Sequence, residues 1–346
     1  PRPYTPTRHL APQAILAISV DEAAVDLPPR FEFSDSSERH ERKFVLTTCA
    51  MCLILVAGCV IASLAAPTKF GEFYPAIAVN FAFIFLAEIV WRAFLSWIAY
   101  RYTPRYKRII NYTRKLGNCF RLYKLFVFSE FLPSMRNDAL TLLFIFGLDQ
   151  LLFIIMFSHF VRRKENPIGW TCRFLFLQQD RPEDRPDTLI HTVTEDLMRF
   201  AVYLSIYLLV IRAHFPDHLA IIYIPLTVNN VGDGLAEPVG VFFSTWFRKK
   251  WNIDVTYSCK SLWTSKGGFW SGSFRRSFPG SACVFLTTII VLCVEHGQFS
   301  RDQLVFLLFL MPFMMTVTEA IAPHANDGPF LAFVGCGLLV VALAVI

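Results

Sequence analysis

The chain has 346 residues, 54% of them hydrophobic and only 17% charged. A soluble domain of this size carries about 25% charged residues, so a wholly water-exposed fold is disfavoured and a membrane protein is expected. The net charge of +6 sits in clusters between apolar windows, and no basic aromatic module is present, which argues against a nucleic-acid partner.

Residues 1–43 mix Pro, Arg, Ala and acids without an apolar span and read as a polar N-terminal arm. A start at Pro1 fits either a removed leader, an organellar transit peptide being one explanation, or a trimmed sequence; a mitochondrial inner membrane or plastid is expected over the endoplasmic reticulum. Windows of about 20 mostly apolar residues can cross a bilayer. Phe44–Ala66 and Phe73–Tyr100 are the first two, the second interrupted by Glu88 and Arg92, whose i, i+4 spacing predicts a structural ion pair. Residues 101–124 then carry eight Lys/Arg and no acid, the strongest topology signal in the chain. Ala139–Val161 is the third window, and 162–196 reads as an exposed polar loop that closes an N-terminal membrane region, 44–196.

A second membrane region is expected over 197–346. Its windows are Leu197–Phe215, Leu219–Phe247, Ser281–Val294, Leu304–Ile321 and Phe330–Ile346, with a basic polar stretch at 248–280. The fold class is therefore all-α, a polytopic membrane helix bundle of about seven or eight segments. The two most basic loops should share one face, yet three windows separate them; a further half-buried segment near Leu122–Leu132 or a re-entrant break at 229–240 would restore the parity. The nine cysteines are scattered, and Cys49-x-x-Cys52 lies inside an apolar window where small apolar filler is expected rather than metal or redox chemistry.

The polar island NNVGDGLAEPVG at 229–240 interrupts an apolar window. Acids at such depth are tolerated where they are packed in protein or line a polar cavity. Its three Gly would break a helix and let main chain approach a ligand. Asp233, Asn230 and Glu237 offer hard oxygen ligands of the kind Mg²⁺ takes alongside phosphates, and a helix starting near the Gly would put Asp233 and Glu237 on one face. The other reading is a kinked helix with a buried acid that only shapes the bundle. Downstream, Lys260, Lys266, Arg275 and Arg276 stand among Ser, Thr and Gly, suited to a polyphosphate, to topology or to anionic lipid.

These residues resemble a known family. Asn230-Val-Gly232-Asp233-Gly234-Leu-Ala236-Glu237-Pro-Val-Gly240 is similar to the G-D-x-x-A-x-x-x-G signature of the phytol kinase, dolichol kinase and CTP-dependent diacylglycerol kinase group, itself related to the phosphatidate cytidylyltransferases. Arg276-Ser-Phe-Pro279-Gly280-Ser281-Ala-Cys-Val-Phe285 resembles its K-[ST]-x-E-G-S-x-A-x-F block. Glu319-Ala-Ile-Ala-Pro323-His-Ala-Asn326-Asp327-Gly-Pro329 resembles its E-A-x-S-P-x-x-x-D-N-x-x-x-P block. Arg114-Lys115-Leu116 echoes an early R-K-x-x-H element without its His. The resemblance covers roughly 197–346 and departs from the pattern at Pro279, where an acid is expected, at Ser244, where a second Gly is expected, and in the reversed Asn326-Asp327 order.

What the resemblance implies is an integral membrane enzyme that transfers phosphate from CTP or ATP to a lipid or isoprenoid alcohol. Asp233 and Glu237 would hold Mg²⁺, with Asp233, Glu237 and Asp327 as catalytic carboxylates. Asn230, Gly232, Gly234, Lys260, Lys266, Arg275, Arg276, Gly280, Ser281 and Asn326 would hold the nucleotide and its phosphates, and Glu319 would help close the site. The alternatives are a phosphatidate cytidylyltransferase using the same metal chemistry, and a non-catalytic subunit of the same fold packed into a large organellar membrane complex. A transporter finds no support, since no inverted repeat stands out.

Overall fold

The structure is a computed structural model that describes residues 35–65, 74–102, 112–117, 120, 139–180, 187–215, 218, 221–260, 263–264, 268–269, 273–322 and 327–346. The expected half-buried segment at 122–132 lies outside the described residues.

Three long helices begin the chain: α1 (Asp35–Ala65), α2 (Tyr74–Tyr102) and α3 (Ala139–Phe157). A helical turn (His159–Arg162) leads into α4 (Pro167–Phe176), which starts where the Asn166 side chain accepts from the Gly169 amide at 2.8 Å. Residues 163–168 are exposed, as the polarity of this stretch suggests, but 172–179 and 188–196 are helical and largely buried. The apolar positions of α4 cover Phe157, and Arg162, Phe176, Gln178, Gln179 and Asp180 are buried with it. α1 packs along α3, and α2 against α4, around a core that includes Val45, Cys52, Ile154, Phe157 and Phe176.

α5 (Thr188–Ile206) continues through a π turn at Tyr207–Ile211 and joins two cores. Its Leu189 and Val193 belong to the N-terminal core, while Phe200, Tyr203 and Leu204 belong to a larger C-terminal one. That second core is built by α6 (Tyr223–Thr227), α7 (Asp233–Trp251), α8 (Phe278–Val294), α9 (Arg301–Ile321) and α10 (Asp327–Val345), with α7 on α8, α8 on α9, α9 on α10 and α10 back on α5.

The chain is predominantly helical, as the all-α class requires, and between α7 and α8 it adds a short β ribbon. β1 (Thr256–Lys260) pairs antiparallel with β4 (Ser273–Ser277), and β2 (Trp263–Thr264) with β3 (Gly268–Phe269). Ser, Thr and aromatic residues at alternating positions suit a two-stranded ribbon better than a helix. Ser277 ends β4 and caps α8, its hydroxyl accepting from the Gly280 amide at 3.2 Å, with Pro279 in the first turn.

Four helical spans, Glu38–Ala65, Phe81–Tyr102, Arg301–Ile321 and Asp327–Val345, are long and apolar enough to cross a membrane, and Leu143–Phe157 and Phe278–Val294 are shorter apolar helices. This is compatible with an integral membrane protein. The windows expected over 197–215 and 219–247 contain π turns and buried polar side chains instead of one uniform apolar helix.

Candidate functional site

The polar island does not break its helix. Residues 228–232 form a π turn that runs directly into α7, with Gly232 at φ −61° and Asp233 at φ −66°, both ordinary right-handed values. Wider π turns recur at functional sites, and this one buries Asn229 and Asn230. Two glycines, the last of the island and one on α8, act through packing instead. A Cβ on Gly280 would lie 2.7 Å from the Ala236 carbonyl oxygen, and one on Gly240 would overlap the Ser277 hydroxyl, so the two glycines set the close approach of α7 to α8.

Asp233 opens α7 and Asp327 opens α10. Asp327 therefore sits in the first turn of its helix, where unpaired amides and the helix dipole favour negative charge, whereas the helix runs on through Asp233, whose amide donates to the Val228 carbonyl. Both are buried, and both face the same cation. Lys115, on the short helix 112–117, donates to Asp233 Oδ2, and its Nζ lies 4.0 Å from Asp327 Oδ2. That short helix is pinned by two hydrogen bonds: Trp91 Nε1 donates to the Leu116 carbonyl at 3.3 Å, and Thr113 Oγ1 to the Gln178 carbonyl at 3.3 Å. Burial pulls the Lys115 ammonium down, but Asp233 and Asp327 outweigh it and hold it above its ordinary value.

The cluster extends on both sides of this centre. Arg199 on α5 donates to Glu195 one turn earlier and lies 4.0 Å from Asp327 Oδ1, while Arg114 stands 3.7 Å from Glu195. Gly328 makes room for Arg199, since a Cβ there would overlap the guanidinium. Asn229 donates to the Gly328 carbonyl at 3.0 Å and lies 3.4 Å from the Tyr203 hydroxyl, tying the π turn to α10 and α5. From the ribbon, Arg276 reaches Glu319 on α9, with Nη1 at 2.8 Å from Oε1 and Nη2 donating to its carbonyl at 2.9 Å. Burial would lower the Arg276 guanidinium, and the carboxylates of Glu319, Asp327 and Asp233 outweigh it and raise it.

Of the residues singled out in the sequence, Asp233, Asp327, Arg276 and Glu319 thus come together. Arg275 does not join them. Successive strand residues point to opposite faces, so Arg275 turns outward and donates to the Asp254 carboxylate and, at 2.7 Å, to Thr256 Oγ1. Lys260 is exposed on β1, opposite Ser273. Ser281 Oγ lies 2.6 Å from the Tyr257 hydroxyl and anchors the ribbon on α8. Asn230 and Gly232 are buried in the π turn, Gly234 lies in the first turn of α7, and Glu237 is half-buried one turn beyond Asp233. Lys266 and Asn326 lie outside the described residues.

Sequence reasoning missed Glu195, Arg199 and Asn229, and gave no role to Arg114 or Lys115. A signal existed for the first pair: Glu195 and Arg199 repeat the i, i+4 acid–base spacing of Glu88 and Arg92.

Among the described residues no three His, Cys, Asp or Glu side chains gather as a metal cage. The donor set nevertheless fits Mg²⁺, which is held by one or two carboxylates and completes its shell with phosphate oxygens and water. Asp233 and Asp327 already hold one cationic group between them, and the buried Asn229 Oδ1 beside α10 accepts no hydrogen bond among the described residues. Comparison with family models, with curated proteins and with solved structures finds no match for this chain.

Proposed function

We propose that this chain is a membrane-embedded kinase that phosphorylates a lipid or isoprenoid alcohol of the phytol, dolichol or diacylglycerol class, with CTP or another nucleoside triphosphate as donor. The observation that carries the reading is the meeting of Asp233 and Asp327, from helices far apart in the chain, on Lys115, with Arg199 next to Asp327 and Arg276 under the field of both carboxylates. The blocks that resemble the lipid-alcohol kinases supply Asp233, Arg276, Glu319 and Asp327, and the geometry adds Lys115 and Arg199 to them.

In this reading Asp233 and Asp327 hold Mg²⁺, with Glu237 and Asn230 as neighbours on the same helical stretch. The metal, when bound, neutralises and orients the phosphates. Lys115, Arg199 and Arg276 bind the phosphate oxygens, and Glu319 keeps Arg276 in place. Phosphoryl transfer rests chiefly on positioning and charge neutralisation, which buried, oriented cations provide. The alcohol oxygen bonds to the terminal phosphorus, the bridging P–O bond breaks to release the nucleoside diphosphate, and the hydroxyl proton passes to a carboxylate.

A second reading has its own observation. Four cations (Arg114, Lys115, Arg199, Arg276) stand against four carboxylates (Glu195, Asp233, Glu319, Asp327), so the set is neutral and internally paired. Such a network suits a non-catalytic subunit that uses the same bundle structurally in an organellar membrane complex. The deciding experiment supplies purified protein with Mg²⁺, labelled CTP or ATP, and a panel of phytol, dolichol, diacylglycerol and phosphatidic acid. A phosphorylated alcohol formed by the wild type and absent with Asp233→Asn is the expected result. A CDP-lipid from phosphatidic acid would instead identify a cytidylyltransferase. No turnover, with tight co-purification in a large assembly, would establish the structural role.

A further inference from the structure

The second half of α7 leaves the bundle. Asp233, Ala236 and Gly240 are buried, but from Phe242 onward the helix is exposed on most sides. Phe242, Phe243, Trp246 and Trp251 are 64%, 40%, 38% and 47% exposed, more than packing against the rest of the chain would leave to four large rings. Their order along the axis is informative. Phe242 and Phe243 come first, then Trp246, and the basic run Arg248-Lys249-Lys250 occupies the last turn. An apolar stretch, a Trp and then cations is the gradient met on leaving hydrocarbon for the headgroup layer.

The cations are not equivalent. Arg248 is taken up by Asp254 at 3.3 Å. Lys249 and Lys250 are exposed and have no carboxylate partner among the described residues. The Lys250 ammonium lies over two rings at once, 5.1 Å from the Trp246 centroid and 5.3 Å from that of Trp251, and the two indoles meet edge to face at 4.6 Å. The aromatic pair thus holds an unneutralised ammonium at a fixed height, with a second beside it.

We infer that the C-terminal end of α7 is a binding site for the headgroup of an anionic phospholipid of the surrounding bilayer, with Lys249 and Lys250 on the phosphate and Trp246 and Trp251 at the acyl boundary. Charge complementarity selects this occupant: neutral lipid would satisfy the rings but not the two ammoniums. The site is independent of the charge cluster, because Asp233 and Lys249 are roughly 24 Å apart along the helix at 1.5 Å per residue.

The test reconstitutes the full chain in phosphatidylcholine vesicles doped with brominated phosphatidylglycerol or brominated phosphatidylcholine, and records tryptophan quenching. The part due to Trp246 and Trp251 is obtained by subtracting the signal of a W246F/W251F variant. Quenching by the anionic lipid should exceed that by the neutral one by about fivefold per lysine, and Lys249→Gln with Lys250→Gln should erase the difference. Equal quenching by both lipids would overturn the proposal in favour of plain bilayer contact. Absence of quenching by either would overturn it in favour of a water- or protein-facing helix end. Both lysines are exposed, so circular dichroism of the double variant should match wild type.

Discussion

Two buried polar clusters invite comparison. The N-terminal one joins Glu41, His159 and Arg162 and, next to it, Glu88, Arg92 and Gln178. Its guanidiniums are closed in by rings: Arg162 lies 4.4 Å from the Phe176 centroid, and Arg92 4.7 Å from Phe153 and 5.5 Å from Phe157. Glu88 lies one turn from Arg92 at 2.7 Å, the Phe157 carbonyl accepts from Arg162 at 2.6 Å, and Glu41 reaches Arg162 from α1 at 3.4 Å. The C-terminal cluster draws on the 112–117 helix, α5, α7, β4, α9 and α10, and among the described residues no ring covers Lys115, Arg199 or Arg276. Both clusters draw partners from distant chain segments, Glu41 meeting Arg162 across 121 positions and Lys115 meeting Asp233 across 118. The first closes its guanidiniums in with rings, whereas the second leaves its cations uncovered, which is the pattern a ligand needs. Neither burial nor convergence alone identifies a site; cations left uncovered do.

The largest expected effect breaks the C-terminal centre. Lys115→Met takes the cation from the buried Asp233 carboxylate and should cost about 3–5 kcal/mol in chemical denaturation. Adding Asp233→Asn should return much of that stability while lipid phosphorylation stays absent; recovery of both would reduce the pair to scaffolding. Glu41→Gln should bring a loss of similar size at the other cluster, since the Glu41 charge is then gone from beside the buried Arg162, yet leave the specific activity of the folded fraction unchanged. Failure of that separation would erase the distinction between the two clusters.

Gly328→Ala is the next step down. The new methyl displaces the Arg199 guanidinium from Asp327, at about 1–3 kcal/mol for overpacking, and should lower turnover more than Gly337→Ala, where a Cβ meets nothing within 4 Å. The smallest effect lies outside both clusters. A hydrogen bond from the Thr256 hydroxyl, helped by Arg275 and Arg248, holds the exposed Asp254 carboxyl below its ordinary value. A lowered folded-state value stabilises above the ordinary carboxylate range, and that contribution is lost as pH falls through it. Asp254→Asn should therefore flatten the acid side of the Tm-versus-pH curve slightly, and added salt should do the same to wild type.

Much of this was legible in the chain, and the limits have physical causes. Apolar windows gave the long helices because an apolar run of about 20 residues must satisfy its backbone hydrogen bonds internally, which a helix does. Glu88 and Arg92 were read correctly as a structural pair because both partners lie on one helix. The π turn was not legible: glycine lowers helix propensity, but packing of the turn against α8 overrides that preference. The apolar positions of α4 were hidden by the polar residues around them. Lys115 was hardest, since a basic stretch beside an apolar helix reads as topology, and only tertiary folding turns one of its lysines inward.

The β1–β4 ribbon carries a parity rule. Tyr257 pairs with Arg276 and Cys259 with Phe274, while Ser258 pairs with Arg275. Tyr257 reaches Ser281, Cys259 donates through Sγ to the Ala320 carbonyl at 2.8 Å, and Arg276 reaches Glu319, so these three look toward the helices. Deleting one residue from β4 ahead of Arg276 while the pairing reforms would present Arg275 to Glu319 and send its neighbour to solvent, whereas a two-residue change would keep the inward guanidinium. Length variation in this ribbon is thus constrained by evenness rather than by size.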